Sequence, residues 1–156
     1  MLKRIDVLRH GQSRFNSMKN NELDSELTEY GKYQAKNLLG EYDLIICSSL
    51  KRCTETLKLS KIKYNKLIIT NICRSYRDDC VNNLCDFKEG EKLENETKDQ
   101  LLERIKIFKQ LLKQEHTEYN KILIISHATY IGIAYEGLWL KNAQLVTLTE
   151  KQINEI

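Results

Sequence analysis

Only three histidines occur in the 156 residues, and two of them close similar stretches of chain. His10 follows the run Lys3 to Leu8 within Arg9-His10-Gly11, and His127 follows the run Ile122 to Ser126. A third aliphatic run, Leu44 to Cys47, leads into Ser48-Ser49-Leu50-Lys51-Arg52. Two imidazoles and two guanidiniums gathered at one spot suit a phosphoryl group. Guanidinium forks match phosphate oxygens bidentately and keep their charge at any working pH. Cations crowded around a histidine lower its pKa from about 6.5, so the imidazole stays neutral with a lone pair ready to attack. Such a histidine can carry the phosphoryl group as a covalent intermediate. The arginines and the second histidine would hold the charge that develops on the oxygens.

These groups converge only if the runs are neighbouring strands. Lys3 to Leu8, Leu44 to Cys47, Leu67 to Thr70 and Ile122 to Ser126 read as strands, buried on both faces where the apolar run is continuous, with Leu145 to Thr149 a fifth at an edge. Helices are expected over Thr28 to Leu39, Leu50 to Leu59, Lys98 to Gln114 and Ala128 to Leu138. The third is the clearest: Leu101, Ile105, Phe108 and Leu112 form one apolar stripe, and Thr97 with Gln100 makes a capping box. Strands alternating with helices predict a three-layer α/β/α fold, a mostly parallel sheet with helices on both faces. Ligands of such sheets bind beyond the carboxyl ends of the strands, where His10, Arg52 and His127 fall.

Composition narrows the field. The length fits one domain spanning 1–156, and 41% hydrophobic with 30% charged residues is globular rather than disordered. A net charge of +3 is too small to argue for nucleic acid, and Lys58, Lys61, Lys63 and Lys66 have one aromatic among them, Tyr64, rather than the series that stacks on successive bases. The longest apolar runs are far short of a membrane span, and the charged start Met-Leu-Lys-Arg-Ile-Asp lacks the apolar stretch of a signal peptide. No nucleic-acid or membrane partner is expected, and the expected location is cytoplasmic. Five cysteines without a C-x-x-C pair predict reduced thiols rather than a disulfide scaffold, and Cys73, Cys80 and Cys85 fit no common zinc spacing. There is no proline, and no nucleotide-loop or H-E-x-x-H motif.

Arg9-His10-Gly11-Gln12-Ser13-Arg14-Phe15-Asn16 resembles the R-H-G-E/Q-S/T-x-x-N signature of the histidine phosphatase superfamily, the phosphoglycerate mutase-like proteins. The likeness continues in order. Leu27-Thr28 with Gly31, Gln34 and Ala35 is similar to the family's L-T-x-x-G-x-x-Q-A helix. Ser48 to Thr56 resembles S-P-L-x-R-A-x-x-T, with Ser49 for the proline and Cys53 for the alanine. Glu96-Thr97 with Arg104 resembles the G-E-S helix and its following arginine, and Ser126-His127-Ala128 resembles the S-H-G element. The resemblance implies that His10 is phosphorylated during turnover, without a metal or other cofactor. It implies further that Arg9, Asn16, Arg52 and His127 bind the phosphoryl oxygens, assisted by the backbone amides after His10.

One departure bears on the acid. The family's carboxylate after the third strand falls on Ser75 in Cys73-Arg74-Ser75. Asp78 is the expected acid in its place, with Asp79 and Glu89 as the other candidates. Arg104 is expected on the polar side of its helix, outside the site, and His116 in a structural role near a helix C-terminus. The function class expected is a phosphatase acting on a small phosphorylated metabolite or a phosphoprotein. A mutase and a non-catalytic phosphate-ligand binder are the alternatives, with a binuclear metal hydrolase more distant. Only about 25 residues separate the third strand from the long helix, which favours an open site and hydrolysis. Oligomeric state is not legible.

Overall fold

The structure is a computed structural model that describes residues 3–14, 25–76 and 96–155. Five strands form one sheet: β1 (Arg4–Arg9), β2 (Leu39–Ser48), β3 (Lys61–Thr70), β4 (Lys121–Ser126) and β5 (Leu145–Thr147). Their order across the sheet is β3-β2-β4-β1-β5. All pairings are parallel except β1 with β5, which is antiparallel at the edge. Thus the mostly parallel α/β architecture expected from the sequence is the one observed.

Because successive side chains point to opposite faces of a strand, each aliphatic run feeds two cores. Ile5, Val7, Leu44, Ile46, Ile122 and Ile124 face one side. There they meet Leu101, Ile105, Phe108 and Leu112 of α3 (Lys98–His116) and Tyr130 and Ile131 of α4 (Ala128–Ala134). Leu8, Ile45, Cys47, Leu123 and Ile125 face the other side, against Cys53 and Leu57 of α2 (Lys51–Leu59). The short α1 (Glu29–Lys36) packs on α2, and α5 (Glu150–Asn154) closes the chain beside the first core.

Both faces are therefore covered by helices.

The differences from expectation have local causes. β2 and β3 extend well toward the N-terminus of the predicted runs, pairing Leu39 with Lys61 through Tyr42 with Tyr64. That half is not an aliphatic run because β3 is an edge, where exposed Lys61, Lys63 and Lys66 discourage a further strand from pairing. At the other end, α1 begins after Thr28, whose hydroxyl caps the helix by accepting from the Gly31 amide. Helix α4 stops at Ala134 rather than Leu138. The chain then turns back through Gly137 (φ +85°), and the Trp139 ring lies so close to Gly132 that a Cβ there would be 2.4 Å from it. The capping box at Thr97 and Gln100 is formed as expected.

One buried carboxylate ties the sheet together on the α2 side. Asp6 accepts from Arg4 Nε (2.8 Å), the Tyr42 hydroxyl (2.6 Å) and the Thr147 hydroxyl (2.7 Å), joining β1 to β2 and β5. Burial pushes its pKa up. The hydrogen bonds from Arg4, Tyr42 and Thr147 and the charge of Arg4 outweigh that push and hold it below the ordinary value.

Candidate functional site

The register of the sheet decides which side chains meet. Arg9 pairs with Ser126, and Cys47 pairs with Ile125, so the ends of β1, β4 and β2 stand side by side. The residues that follow are His10, His127 and Ser49. Ring centroids of His10 and His127 lie 5.1 Å apart, tilted by 60°. Both histidines are buried, as is Arg52 at the start of α2. The strand-end reading thus brings His10, His127, Arg9 and Arg52 to one end of the sheet. Asn16, Asp78, Asp79 and Glu89 lie outside the described residues.

His10 Nδ1 lies 2.6 Å from the Gly11 carbonyl oxygen. A carbonyl oxygen only accepts, so the proton resides on Nδ1 and Nε2 carries the lone pair. Burial pushes the pKa of His10 well below 6.5. The charge of Arg52 adds to this, the Gly11 carbonyl opposes it, and the charge of Arg9 lowers it further. The ring is therefore neutral at ordinary pH, with Nε2 available to an electrophile.

Arg9 is held by Nη1, which donates to the Leu140 carbonyl at 3.1 Å. Its Nε is buried with no hydrogen-bond partner among the described residues. His127 Nε2 lies 2.9 Å from the Ser48 hydroxyl and 3.5 Å from the Cys53 sulfur.

The loop carrying His10 is fixed from two sides. Gly11 N–H donates to Thr56 Oγ1 (3.0 Å), and Gln12 N–H donates to Gln34 Oε1 (2.9 Å). The amides after His10 are therefore engaged by protein side chains, and the expectation that they assist at a phosphoryl group is corrected for these two. Gly11 serves a different need, because a Cβ there would meet the Gly31 carbonyl oxygen at 2.7 Å. A Cβ on Gly31 would lie only 2.0 Å from the Gln12 carbonyl oxygen. Thr28 donates its hydroxyl to Gln12 Oε1 at 2.8 Å. So the spaced residues Thr28, Gly31 and Gln34 form a cradle for the His10 loop.

Gly31→Ala is expected to cost about 1–3 kcal/mol by forcing backbone apart. Urea unfolding measures this, and an unchanged midpoint would contradict the cradle.

The other flank was not apparent in the sequence. Ala143 N–H (2.9 Å) and Asn142 Nδ2 (3.3 Å) both donate to the His10 carbonyl. Ala143 has φ +57°, an uncommon conformation for alanine. Asn142, a frequent turn former, was the one signal. At the position where the family has proline, Ser49 donates its N–H to the Thr70 carbonyl (3.2 Å) and its hydroxyl to Asn71 Oδ1. A proline could make neither bond.

Arg104 requires a correction. Rather than lying on the polar side of α3, it is buried one turn from Leu101 and Phe108. Nε and Nη2 grip the Glu96 carboxylate at 2.7 Å each. Nη1 donates to the carbonyls of Ile72 (2.9 Å) and Arg74 (2.8 Å), and Nη2 reaches that of Ser75 (3.4 Å). All five guanidinium donors are used, and together they fix the backbone that leads to Ser75. His116 lies at the far end of α3 with its pKa lowered by burial and by Lys3, away from these groups.

Among the described residues, no group of three or more histidines, cysteines or carboxylates is placed to hold a metal ion. No described helix is long and apolar enough to cross a membrane.

Residues 5–71 match the model of the histidine phosphatase superfamily (branch 1), so the resemblance drawn from the motifs is borne out there. No curated protein matches the chain in sequence. Among solved structures, an Entamoeba histolytica phosphoserine phosphatase in complex with 3-phosphoglyceric acid superposes with a TM-score of 0.67 at 19% identity. It covers 95% of this chain and 91% of its own. A mycobacterial glucosyl-3-phosphoglycerate phosphatase in complex with VO3 gives 0.61 at 16% identity, covering 94% and 91%. The product of a Mycobacterium tuberculosis open reading frame gives 0.64 at 16%, covering 93% and 90%. These likenesses establish a shared fold.

Proposed function

We propose that this chain, which carries a histidine phosphatase match over residues 5–71, is a metal-independent phosphomonoester hydrolase that works through a phosphohistidine on His10. The observation that carries the reading is the 2.6 Å bond from His10 Nδ1 to the Gly11 carbonyl, made in a buried site beside Arg9 and Arg52. It leaves a neutral imidazole with its lone pair on Nε2.

In this reading Nε2 attacks phosphorus as the bond to the leaving oxygen breaks, and Asp78 gives that oxygen its proton. Water then attacks the phosphohistidine, the Asp78 carboxylate takes its proton, and the P–N bond breaks to release phosphate. Arg9, Arg52, Asn16 and His127 bind the phosphoryl oxygens throughout. The buried Nε of Arg9 is a donor that a phosphoryl oxygen would satisfy. The substrate is a small phosphorylated metabolite or a phosphoprotein, as the phosphatase names of the structural neighbours suggest.

The reading predicts hydrolysis of p-nitrophenyl phosphate in the presence of a chelator. Activity lost on chelation and restored by a divalent metal would support metal-dependent hydrolysis instead. For the acid, Asp78→Asn is expected to slow alkyl phosphates by about two to four powers of ten and p-nitrophenyl phosphate far less, since a good leaving group needs little protonation. An unchanged ratio between the two substrates would remove Asp78 from the mechanism.

A further inference from the structure

Ser48 ends β2 beside the site and has no role in the scheme above. Its hydroxyl lies 2.9 Å from His127 Nε2, and its oxygen accepts from the Leu50 amide at 3.3 Å. An amide can only donate, so that contact occupies a lone pair of the hydroxyl and leaves its hydrogen to point elsewhere. The acceptor the structure places within reach is His127 Nε2. The Cys53 thiol, the other neighbour of Nε2, has the Ser126 carbonyl as an acceptor at 3.7 Å and is in any case the weaker donor.

We infer that Ser48 is the positioning residue of His127, holding the neutral ring with its proton on Nδ1 by donating to Nε2. The inference rests on the phosphatase reading for its purpose, though not for its geometry. Which ring nitrogen carries the proton is decided by the partner of the other, and the two histidines have opposite partners. His10 meets a carbonyl through Nδ1 and so keeps its lone pair on Nε2; His127 meets a hydroxyl donor through Nε2 and so keeps its N–H on Nδ1. Two imidazoles 5.1 Å apart are thereby divided into one nucleophile and one donor. His127 can then give a hydrogen bond to a phosphoryl oxygen without being protonated, and its own lone pair is withheld from phosphorus.

Long-range proton–nitrogen correlation spectra of the full chain near neutral pH, without ligand, read both tautomers directly. The expected spectrum shows His127 as the Nδ1–H form. An Nε2–H form in the wild-type protein overturns the inference, whatever the behaviour of any variant. Ser48→Ala is expected to give mixed tautomers at His127, to weaken orthovanadate binding about tenfold, and to lower kcat more than it raises KM. Ser48→Thr, which keeps the hydroxyl, should retain the wild-type spectrum and affinity. If Ser48→Ala leaves His127 purely Nδ1–H, Ser48 is not what sets it, and the inference fails. Since the tautomer is read without substrate, an inactive protein with the expected spectrum counts against the hydrolase and for Ser48. An active one with the Nε2–H form does the reverse.

Discussion

His10→Ala is expected to lower turnover of p-nitrophenyl phosphate by about four to six powers of ten, the scale on which loss of a catalytic nucleophile is felt. The fold should survive, because the loop around residue 10 is held mainly by backbone and neighbouring side chains. Thr56 and Gln34 grip the next two amides, while Asn142 and Ala143 grip the residue 10 carbonyl. Orthovanadate should still bind through the arginines, more weakly. A residual rate within tenfold of wild type would remove His10 as nucleophile.

The same residue sets a pH dependence whose sign follows from its lowered pKa. Nε2 attacks only when unprotonated, so the acid limb of kcat/KM attributable to His10 should fall below the ordinary histidine value of about 6.5. Stability moves in the matching direction. As pH drops below about 6.5, the unfolded chain takes up a proton that folded His10 refuses, and this contribution to folding is lost. His10→Ala should flatten that part of the stability profile. A profile unchanged by the substitution would place the titration elsewhere.

Arg104→Ala is the second large effect, and it concerns stability first. It would leave the Glu96 carboxylate buried without its two 2.7 Å partners and would release the carbonyls of Ile72, Arg74 and Ser75. Breaking a buried ion pair from one side typically costs about 3–5 kcal/mol. The guanidinium also lies 4.8 Å over the Tyr130 ring, a contact that would be lost too. Urea denaturation should show the unfolding free energy falling by that amount, read as a lower midpoint. Replacing both partners, as Arg104→Met with Glu96→Gln, should recover part of the loss, because the carboxylate that Arg104 and, at 3.7 Å, Arg74 hold is then no longer charged. A single substitution costing less than about 1 kcal/mol would mean that the pair does not anchor this segment.

Those two residues also mark what sequence could and could not convey. His10 and His127 were legible because each follows a short strand-like run, broken by Asp6 before His10 and continuous over Ile122 to Ile125 before His127, and strands of a parallel sheet end at the ligand edge. Arg52 was legible through its spacing from the end of β2. The capping box at Thr97 was equally local and appeared where expected.

Arg104 was misread because a charge on a helix is normally solvated, and its partners, Glu96 and the carbonyls of Ile72, Arg74 and Ser75, are brought to it only by the tertiary fold. The same holds for Ser48 and Ala143. Neither residue type implies a bond to a histidine; each acquires one from the register between strands or from a turn crossing the sheet edge. Likewise Gly31 and Gln34 could be matched to a motif, but their purpose emerges only once α1 is seen against the His10 loop. The N-terminal halves of β2 and β3 were hidden for another reason: β3 is an edge bearing lysines, and β2 before Leu44 pairs with β3 alone, so neither half shows an apolar periodicity to read.

The claim on which the rest depends is that His10 Nε2 carries the phosphoryl group. It is tested most directly by quenching the protein in the steady state with a labelled phosphoester and identifying the phosphorylated atom by phosphorus NMR and mass spectrometry. The account predicts an acid-labile, base-stable phosphoryl group on Nε2 of His10, absent from His10→Ala. Rapid hydrolysis with no phosphoenzyme, or with the label on another residue, would contradict it.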